Sequence, residues 1–246
     1  MISVCIATYN ASIYIHAQII SILNQLAQND EIIISDDLST DNTIEIITNI
    51  NDARIKVIKG DSTLGVVKNF ERALFAAKGD LIFLADQDDV WLPNKVQVCK
   101  TLLVNYILVV SDCAVVDSNL NSLSPSFFAL KNSKKGVLKN IYKNSYIGCC
   151  MAFKRELLDI ALPFPKTIPM HDIWIGLLAD IVGDVVFTKE RLLLYRRHKA
   201  NLSPMQSNSR LFTKIKIRFV LLASLLNRFL IIFFKSSIQM LPKRYK

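Results

Sequence analysis

Glycine is scarce in this chain, which has seven glycines in 246 residues and none before Gly60. The first predicted strand-to-helix turn, residues 7–14, therefore contains no glycine. Dinucleotide-binding GxGxxG turns and P-loops need glycine at this point so that the backbone can approach phosphate. Both motifs are excluded, and sugar nucleotidyltransferases, which also carry a glycine-rich loop there, are disfavoured. If this fold binds a nucleotide diphosphate, a metal must neutralise much of the phosphate charge.

The chain also lacks the cysteine patterns of disulfide-rich and zinc-binding proteins. It has five cysteines, an odd number, and no CxxC pair. Neither a disulfide framework nor a zinc site is therefore expected. The cysteine pattern instead favours a reducing, cytoplasmic location. The first six residues have neither a basic stretch nor a long apolar core. They predict a strand that begins the fold rather than a cleaved signal peptide.

Acidic residues are missing from the end of the chain. Residues 211–246 hold eight of the 30 basic residues and no Asp or Glu, so the net charge of +9 belongs largely to this tail. A surface for nucleic acid would spread its charge over the fold, so no nucleic-acid partner is expected. The longest charge-free stretch, Phe219–Asn227, is too short to span a bilayer. Two interpretations remain: a helix lying on an anionic membrane, or a helix packed on protein.

What the chain does contain is a regular alternation of apolar strands and helical segments over its first 100 residues. Nearly continuous apolar runs at Ile2–Ala7, Glu31–Ser35 and Leu81–Ala85 alternate with residues at helical spacing. This pattern predicts an α/β fold with a mostly parallel central sheet covered by helices. Gly79 is predicted to cap the helix before the last of these strands.

The pattern is less regular after Lys95. Two short strands, 107–110 and 114–116, are predicted on either side of Ser111-Asp112, and two more at 184–187 and 192–195. Residues 117–136 are polar and predict a loop.

Polar groups follow three of the predicted strands: Thr8-Tyr9-Asn10, Asp36-Asp37 and Asp86-Gln87-Asp88-Asp89. Ligands of parallel sheets bind beyond the carboxyl ends of the strands, so the three groups should gather along one edge. In an extended segment Asp86 and Asp88 project to the same side. Their carboxylates suit Mg²⁺ or Mn²⁺ shared with a substrate phosphate. From the cluster alone, a solvated turn capping a short helix is an equally good interpretation.

Several ordered segments together resemble the bacterial family 2 glycosyltransferases of GT-A fold, particularly the rhamnosyltransferase-like enzymes of surface polysaccharides. The matching segments are Ser3–Asn10, Glu31–Asp41, Asp80–Trp91, Gly148–Phe153, Met170–Trp174 and Tyr195–His198. They span about residues 2–205, and their order and spacing make the match specific.

The resemblance implies roles for matching residues. Ala7, Thr8 and Tyr9 would line the nucleotide pocket, and Asp37 would bind the nucleotide base. Gln87 would contact the nucleotide sugar, and Asp86 would contact the ribose or the metal region. The metal would be held by Asp88, and His198 would complete that site or contact phosphate, with Arg196 and Arg197 adding positive charge.

Asp172 matches the catalytic base of the family. A positioned carboxylate can take the proton of an attacking hydroxyl, although Asp172 is also suited to cap the helix that follows it. Lys68 is assigned either to the donor or to an exposed helix start. Leu38 stands where the family often has glycine, and a positive φ there would be strained, so a locally different turn is expected.

The expected protein is thus a metal-dependent, inverting glycosyltransferase for surface polysaccharide or lipopolysaccharide, at the cytoplasmic face of the membrane. Its partners would be a nucleotide-diphospho-sugar donor, a glycan or lipid-linked acceptor, and the membrane surface. A glycosyltransferase domain is expected over 1–210, with a nucleotide-sugar half (1–100) and an acceptor half (101–210), followed by a helical tail. The alternatives are a sugar nucleotidyltransferase and an inactive nucleotide-sugar-binding homologue.

Overall fold

The computed structural model describes residues 1–198, 201 and 211–239, with the side chains of residues 212–232 in the last range. The expected boundary at residue 210 and the last seven residues of the expected tail lie outside the described residues.

One sheet of nine strands forms the centre of the molecule, in the order β3-β2-β1-β4-β8-β6-β9-β5, with β7 paired to β6. The strands are β1 (Ile2–Thr8), β2 (Glu31–Asp36), β3 (Ile55–Lys59), β4 (Leu81–Ala85), β5 (Val90–Trp91), β6 (Leu108–Val116), β7 (Ser122–Ser124), β8 (Met151–Lys154) and β9 (Val185–Arg196). β8, β5 and β7 run against their neighbours, and the other six run in one direction. The predicted mostly parallel sheet is confirmed, and it includes strands from both predicted halves.

Helices cover the sheet and close its ends. They are α1 (Ile15–Leu23), α2 (Thr43–Asn49), α3 (Val66–Ala76), α4 (Lys95–Leu103), α5 (Phe127–Lys131), α6 (Val137–Tyr142), α7 (Glu156–Ala161), α8 (His171–Val182) and α9 (Leu211–Gln239). A single 3₁₀ turn, Gly148–Cys150, leads into β8.

The first 100 residues follow the predicted alternation because β1, β2 and β4 are apolar on both faces. Every residue of β2 is buried, and β1 is buried except at Ala7. The predicted helix cap at Gly79 is wrong, because α3 ends at Ala76 with Ala77 as its cap. A Cβ at Gly79 would lie 2.5 Å from the backbone nitrogen of Ser3, so this glycine allows close contact with β1 instead.

Two pairs of predicted strands are in fact single strands, β6 and β9. In β6 the polar pair at 111–112 suggested a break, but both residues are buried within the strand. Asp112 is satisfied there because its carboxylate accepts hydrogen bonds from Ser126 Oγ at 2.5 Å and from the Phe128 backbone N–H at 2.9 Å. The predicted loop of 117–136 correspondingly contains β7 and α5.

Leu38 keeps the turn that its side chain was expected to change. Its φ is +66°, so the predicted local difference is wrong. Such a conformation costs about 1–2 kcal/mol for a residue with a Cβ. Hydrogen bonds hold it on both sides: Asp37 N–H donates to Thr8 O at 2.9 Å, and Ser39 N–H donates to Asp36 Oδ2 at 2.9 Å.

The long helix α9 packs on the fold through one of its faces. Leu221 and Leu225 are buried, and Arg228 donates to the Leu162 carbonyl at 2.8 Å and stands over the Trp174 ring at 5.5 Å. Among the described helices, none is long and apolar enough to cross a bilayer.

Candidate active site

A large cleft opens at the carboxyl ends of β1, β2 and β4. Its volume is about 2210 Å³, and Thr8, Asp37 and Asp86 all line it. The prediction that the three polar strand ends meet at one edge is confirmed. Ligand pockets usually measure about 300–1,000 Å³, so this cleft has room for two substrates at once.

Ala7, Thr8, Tyr9 and Gln87, for which a role in nucleotide-sugar binding was predicted, all line the cleft. Gln87 holds the exposed Tyr9 by accepting from its N–H at 2.8 Å and donating to its carbonyl at 3.2 Å. Tyr9 therefore presents a half-exposed ring on a fixed backbone.

Asp37 also lines the cleft, and its carboxylate holds the loop that contains Leu64 and Gly65. It accepts hydrogen bonds from the N–H groups of Leu64 at 2.7 Å and Gly65 at 2.9 Å. Lys68 does not line the cleft: its ammonium binds Glu71 one turn along α3. Of the two alternatives predicted for Lys68, the structure therefore agrees with the position at the start of a helix.

Asp86 lines the floor of the cleft, Asp89 is buried close to it, and the charges of the two carboxylates repel each other. Burial and then the charge of Asp88 raise the pKa of Asp86 to about 7, and Asp172 contributes to the same shift. Burial and Asp88 also raise the pKa of Asp89 well above its usual value. Asp89 Oδ1 accepts from the Arg196 backbone N–H at 2.9 Å, whereas its Oδ2 has no hydrogen-bond partner among the described residues.

Asp88 and His198 lie side by side, although 110 positions separate them in the chain. His198 Nε2 is 2.8 Å from Asp88 Oδ2, and Asn201 Nδ2 donates to the same oxygen at 3.0 Å. Tyr14 supports the imidazole, with ring centroids 4.9 Å apart. The structure thus brings together the two residues that were predicted to hold the metal.

Arg196 fixes this arrangement from beneath rather than facing a ligand. Its guanidinium is buried and donates to the backbone carbonyls of Asp88 at 2.6 Å and Ser118 at 2.6 Å. It also stands over the Tyr14 ring at 4.6 Å. Of the two arginines that were predicted to add positive charge to the site, only Arg197 lines the cleft.

The side chains at this floor fit a hard divalent ion. Oxygen atoms of Asp86 and Asp89 and the sulfur of Cys149 all lie within 4.8 Å of one another. Burial raises the pKa of the Cys149 thiol well above its usual value, so it stays protonated, and Mg²⁺ and Mn²⁺ favour oxygen over sulfur. The unpaired oxygen of Asp89, the raised pKa of Asp86 and the Asp88–His198 pair all indicate a place for positive charge.

Asp172 occupies the opposite wall, at the start of α8. The N-cap is Met170, so Asp172 lies within the first turn and the capping alternative is wrong. Its Oδ1 accepts from the Ile173 N–H at 2.6 Å, and burial raises the pKa of Asp172 to about 6. The neighbouring His171 is stacked on Phe70 at 4.0 Å, and burial lowers its pKa to about 3, so its imidazole is neutral.

Gly148 allows the 3₁₀ turn to approach this carboxylate. A Cβ at Gly148 would lie 3.0 Å from His171 Nε2 and 3.7 Å from the Asp172 Cβ. Its backbone N–H also favours the charged form of Asp172, which opposes the effect of burial on the pKa.

Sequence reasoning missed Asn201 and Tyr14, which orient the Asp88–His198 pair. Their only signals were an Asn three residues after the histidine and an aromatic residue in the first turn. Both are common in any chain. It also missed that α5, α6 and α9 line the cleft with cationic groups, because no motif marks those helices.

Several solved structures share this architecture. S. aureus TarS 1-349 in complex with UDP-GlcNAc superposes with a TM-score of 0.69 at 20% identity, covering 89% of this chain and 66% of that one. Glucosyl-3-phosphoglycerate synthase from Mycobacterium tuberculosis, in complex with Mn²⁺, UDP and its product, gives 0.57 at 20% identity, covering 93% and 79%. The fold is therefore the GT-A fold.

The sequence comparisons define the family. The sequence model of Glycosyl transferase family 2 matches residues 3–160, so the chain belongs to this family and is a glycosyltransferase. The glucosyltransferase WfgD of Escherichia coli, which is named for UDP-Glc and α-D-GlcNAc-diphosphoundecaprenol, is 30% identical over 73% of this chain and 70% of its own length. The putative colanic acid biosynthesis glycosyl transferase WcaA of Escherichia coli is 26% identical over 89% and 88%.

Proposed function

We propose that this glycosyltransferase moves a sugar from a nucleotide-diphospho-sugar to a lipid-linked glycan, with inversion, during the assembly of a surface polysaccharide. The observation that carries the proposal is the position of Asp172. It faces the cleft from the start of α8, close enough to Asp86 on the floor for their charges to raise the pKa of Asp86. A base and a donor site therefore share one cavity.

The chemistry proposed for Asp172 is that of a general base. The acceptor hydroxyl oxygen forms a bond to the anomeric carbon as the bond from that carbon to the donor diphosphate breaks. The hydroxyl proton passes to an Asp172 oxygen, and the nucleoside diphosphate departs with the bonding electron pair. A single displacement of this kind inverts the anomeric centre, and a carboxylate whose pKa is about 6 is ionised at neutral pH.

The donor is proposed to lie along β1 and β4. Tyr9 offers its exposed ring to the nucleobase of the donor. The Asp37 carboxylate accepts hydrogen bonds from Leu64 and Gly65 and retains further lone pairs for an N–H of the nucleobase. Gln87 keeps Tyr9 in place, and Asp86 lies nearest the ribose.

Asp88 and His198 are the residues proposed to hold Mn²⁺ or Mg²⁺. A divalent ion at this position supplies Lewis-acid stabilisation of the leaving diphosphate. The protein's own part is to orient the two ligands, through Asn201 on the carboxylate and Tyr14 on the imidazole. The presence of Mn²⁺ with UDP in the mycobacterial synthase supports this assignment.

The test is a transfer and hydrolysis screen of the purified chain against a panel of nucleotide-diphospho-sugars with Mn²⁺. We expect one donor to be consumed in a reaction that EDTA stops and added Mn²⁺ restores. Consumption of a sugar 1-phosphate with a nucleoside triphosphate would instead identify a nucleotidyltransferase. Donor binding with no turnover on any acceptor would identify an inactive homologue, and either outcome would contradict the proposal.

We further propose that α9 attaches the enzyme to an anionic membrane. Its outward face carries an apolar stripe at helical spacing, comprising Phe212, Ile215, Phe219, Leu222, Leu226 and Leu230, all exposed. The 211–246 segment has eight basic residues and no acidic ones, which complements anionic lipid headgroups. A membrane surface is also where a lipid-linked acceptor resides.

The substitutions Phe219→Gln, Leu222→Gln and Leu226→Gln test this attachment without removing the helix that lines the cleft. We expect the triple variant to lose most of its co-sedimentation with vesicles of 30% phosphatidylglycerol, because about 25 cal/mol is lost per Å² of apolar surface withdrawn. The matched control is Phe75→Gln with Val104→Gln, which removes two equally exposed apolar groups elsewhere. Equal sedimentation of both variants would overturn the attachment.

A further inference from the structure

The outer part of the cleft is basic, in contrast to its acidic floor. Four cationic residues from three separate helical segments line it: Lys131 at the end of α5, Lys143 after α6, and Lys214 and Arg218 on α9. We refer to these four as the basic wall. The carboxylates that line the cleft among the described residues are Asp37, Asp86, Asp88 and Asp172, which lie at strand ends and at the start of α8.

The basic wall is assembled by tertiary contacts rather than by chance exposure. Arg218 donates to the Tyr142 carbonyl at 2.9 Å, and its guanidinium stands over the Tyr142 ring at 4.6 Å. This contact places Arg218 beside Lys143, the next residue in the chain. Lys214 lies one helical turn before Arg218, so both project from the same face of α9.

Within the basic wall, the charge of Lys143 acts against that of Lys131. The pKa of Lys131 is lowered by burial and then by the charges of Lys143 and Arg197. Gathering like charges costs free energy unless an anion binds between them. A cluster of this kind at the mouth of a substrate cleft is suited to a compact anion such as phosphate or diphosphate.

Exposed apolar side chains border the wall directly. Leu130 precedes Lys131 and Tyr142 precedes Lys143, and both line the cleft and are at least 50% exposed. An anionic ligand held by the wall would therefore meet a hydrocarbon surface at its edge. A free phosphate or a soluble phosphorylated sugar has no hydrocarbon group that could contact these apolar side chains.

We propose that the basic wall is the binding site for the diphosphate of a lipid-linked acceptor, with the bordering apolar residues receiving the start of its hydrocarbon chain. Its role as an acceptor site rests on the proposed function. The donor diphosphate has a different proposed position, beside Asp88 and His198. The cleft volume of about 2210 Å³ accommodates both ligands.

The experiment measures binding of farnesyl diphosphate in EDTA, by calorimetry, to the full chain and to the variant Lys143→Gln with Lys214→Gln. Farnesol and inorganic pyrophosphate are the comparison probes. We expect farnesyl diphosphate to bind more tightly than either, and the double variant to weaken it by at least about tenfold through loss of two charge-assisted contacts. The single substitution Lys100→Gln, on the exposed side of α4, should leave it unchanged.

Three results would overturn the assignment: unchanged affinity in the double variant, farnesol binding as tightly as the diphosphate, or pyrophosphate binding as tightly as the lipid. The probe carries neither nucleotide nor sugar, so its binding does not depend on whether the chain transfers a sugar. Failure of the donor screen with intact probe binding would count against the proposed function alone. Both lysines have side chains at the cleft surface, and a thermal melt of the variant will show whether the fold is retained.

Discussion

Replacing Asp172 with Asn is expected to lower kcat about 10²–10⁴-fold, the usual contribution of a general base, while the affinity for the nucleotide-sugar donor stays the same. The amide keeps the size of the side chain and can still accept the Ile173 N–H through its oxygen. It cannot take up the proton of the acceptor hydroxyl. Steady-state kinetics with varied donor and acceptor will separate the loss in kcat from any change in KM.

The pH profile gives the same substitution a second readout. Only ionised Asp172 can act as a base, and burial raises the pKa of Asp172 to about 6. Transfer by the unsubstituted enzyme should therefore rise with pH through about 6 and level off above it. The residual activity of Asp172→Asn should not rise with pH through about 6, because the variant has no carboxylate to ionise at this position.

Stability separates loss of the base from loss of the fold. Because burial raises the folded-state pKa of Asp172, its ionisation opposes folding, and the stability it contributes is lost as pH rises toward about 6. At pH 7 the Asn variant should therefore melt at the same or a higher temperature. The matched control is Asp159→Asn, which makes the same substitution at an exposed carboxylate on α7 and should retain full activity. Full activity of Asp172→Asn would refute the assignment.

The first half of the fold was predictable because its signals are local. β2 and β4 are apolar runs ended by polar or turn-forming residues, so their limits can be read within a residue or two. In β6 the decisive contact is long-range: Asp112 is tolerated inside a buried strand because Ser126 and Phe128 bind it. No sequence window contains that information, and the strand was divided in two.

The candidate site shows the same division. The strand-end carboxylates and the residues of the family motifs were found because each lies in a recognisable segment. Asn201 and the basic wall depend on how distant segments fold back on the cleft, as when Arg218 reaches the Tyr142 carbonyl. Lys68 shows the converse, because Glu71 one turn away holds its ammonium outside the cleft.

Replacing Asp88 with Asn is expected to abolish most of the Mn²⁺-dependent donor affinity. Groups that only support a metal ligand typically cost 10–100-fold when removed, so loss of a ligand carboxylate should cost about 100-fold or more. The amide matches the volume of the carboxylate, and the bond from Arg196 to the Asp88 backbone carbonyl does not involve the side chain. The floor of the cleft should therefore remain folded.

The measurement is calorimetric titration of the nucleotide diphosphate with Mn²⁺ and with EDTA, so it needs no turnover. In the unsubstituted chain the two conditions should differ strongly, and in Asp88→Asn they should nearly coincide. His198→Asn should act in the same direction, because its Nε2 lies 2.8 Å from the Asp88 carboxylate and the two are proposed to share the ion. Asp184→Asn removes an exposed carboxylate just before β9 and should keep the full Mn²⁺ effect. If Asp88→Asn retained that effect, the neighbouring Asp86 and Asp89 would be the ligands instead, since their oxygens already lie within 4.8 Å of each other.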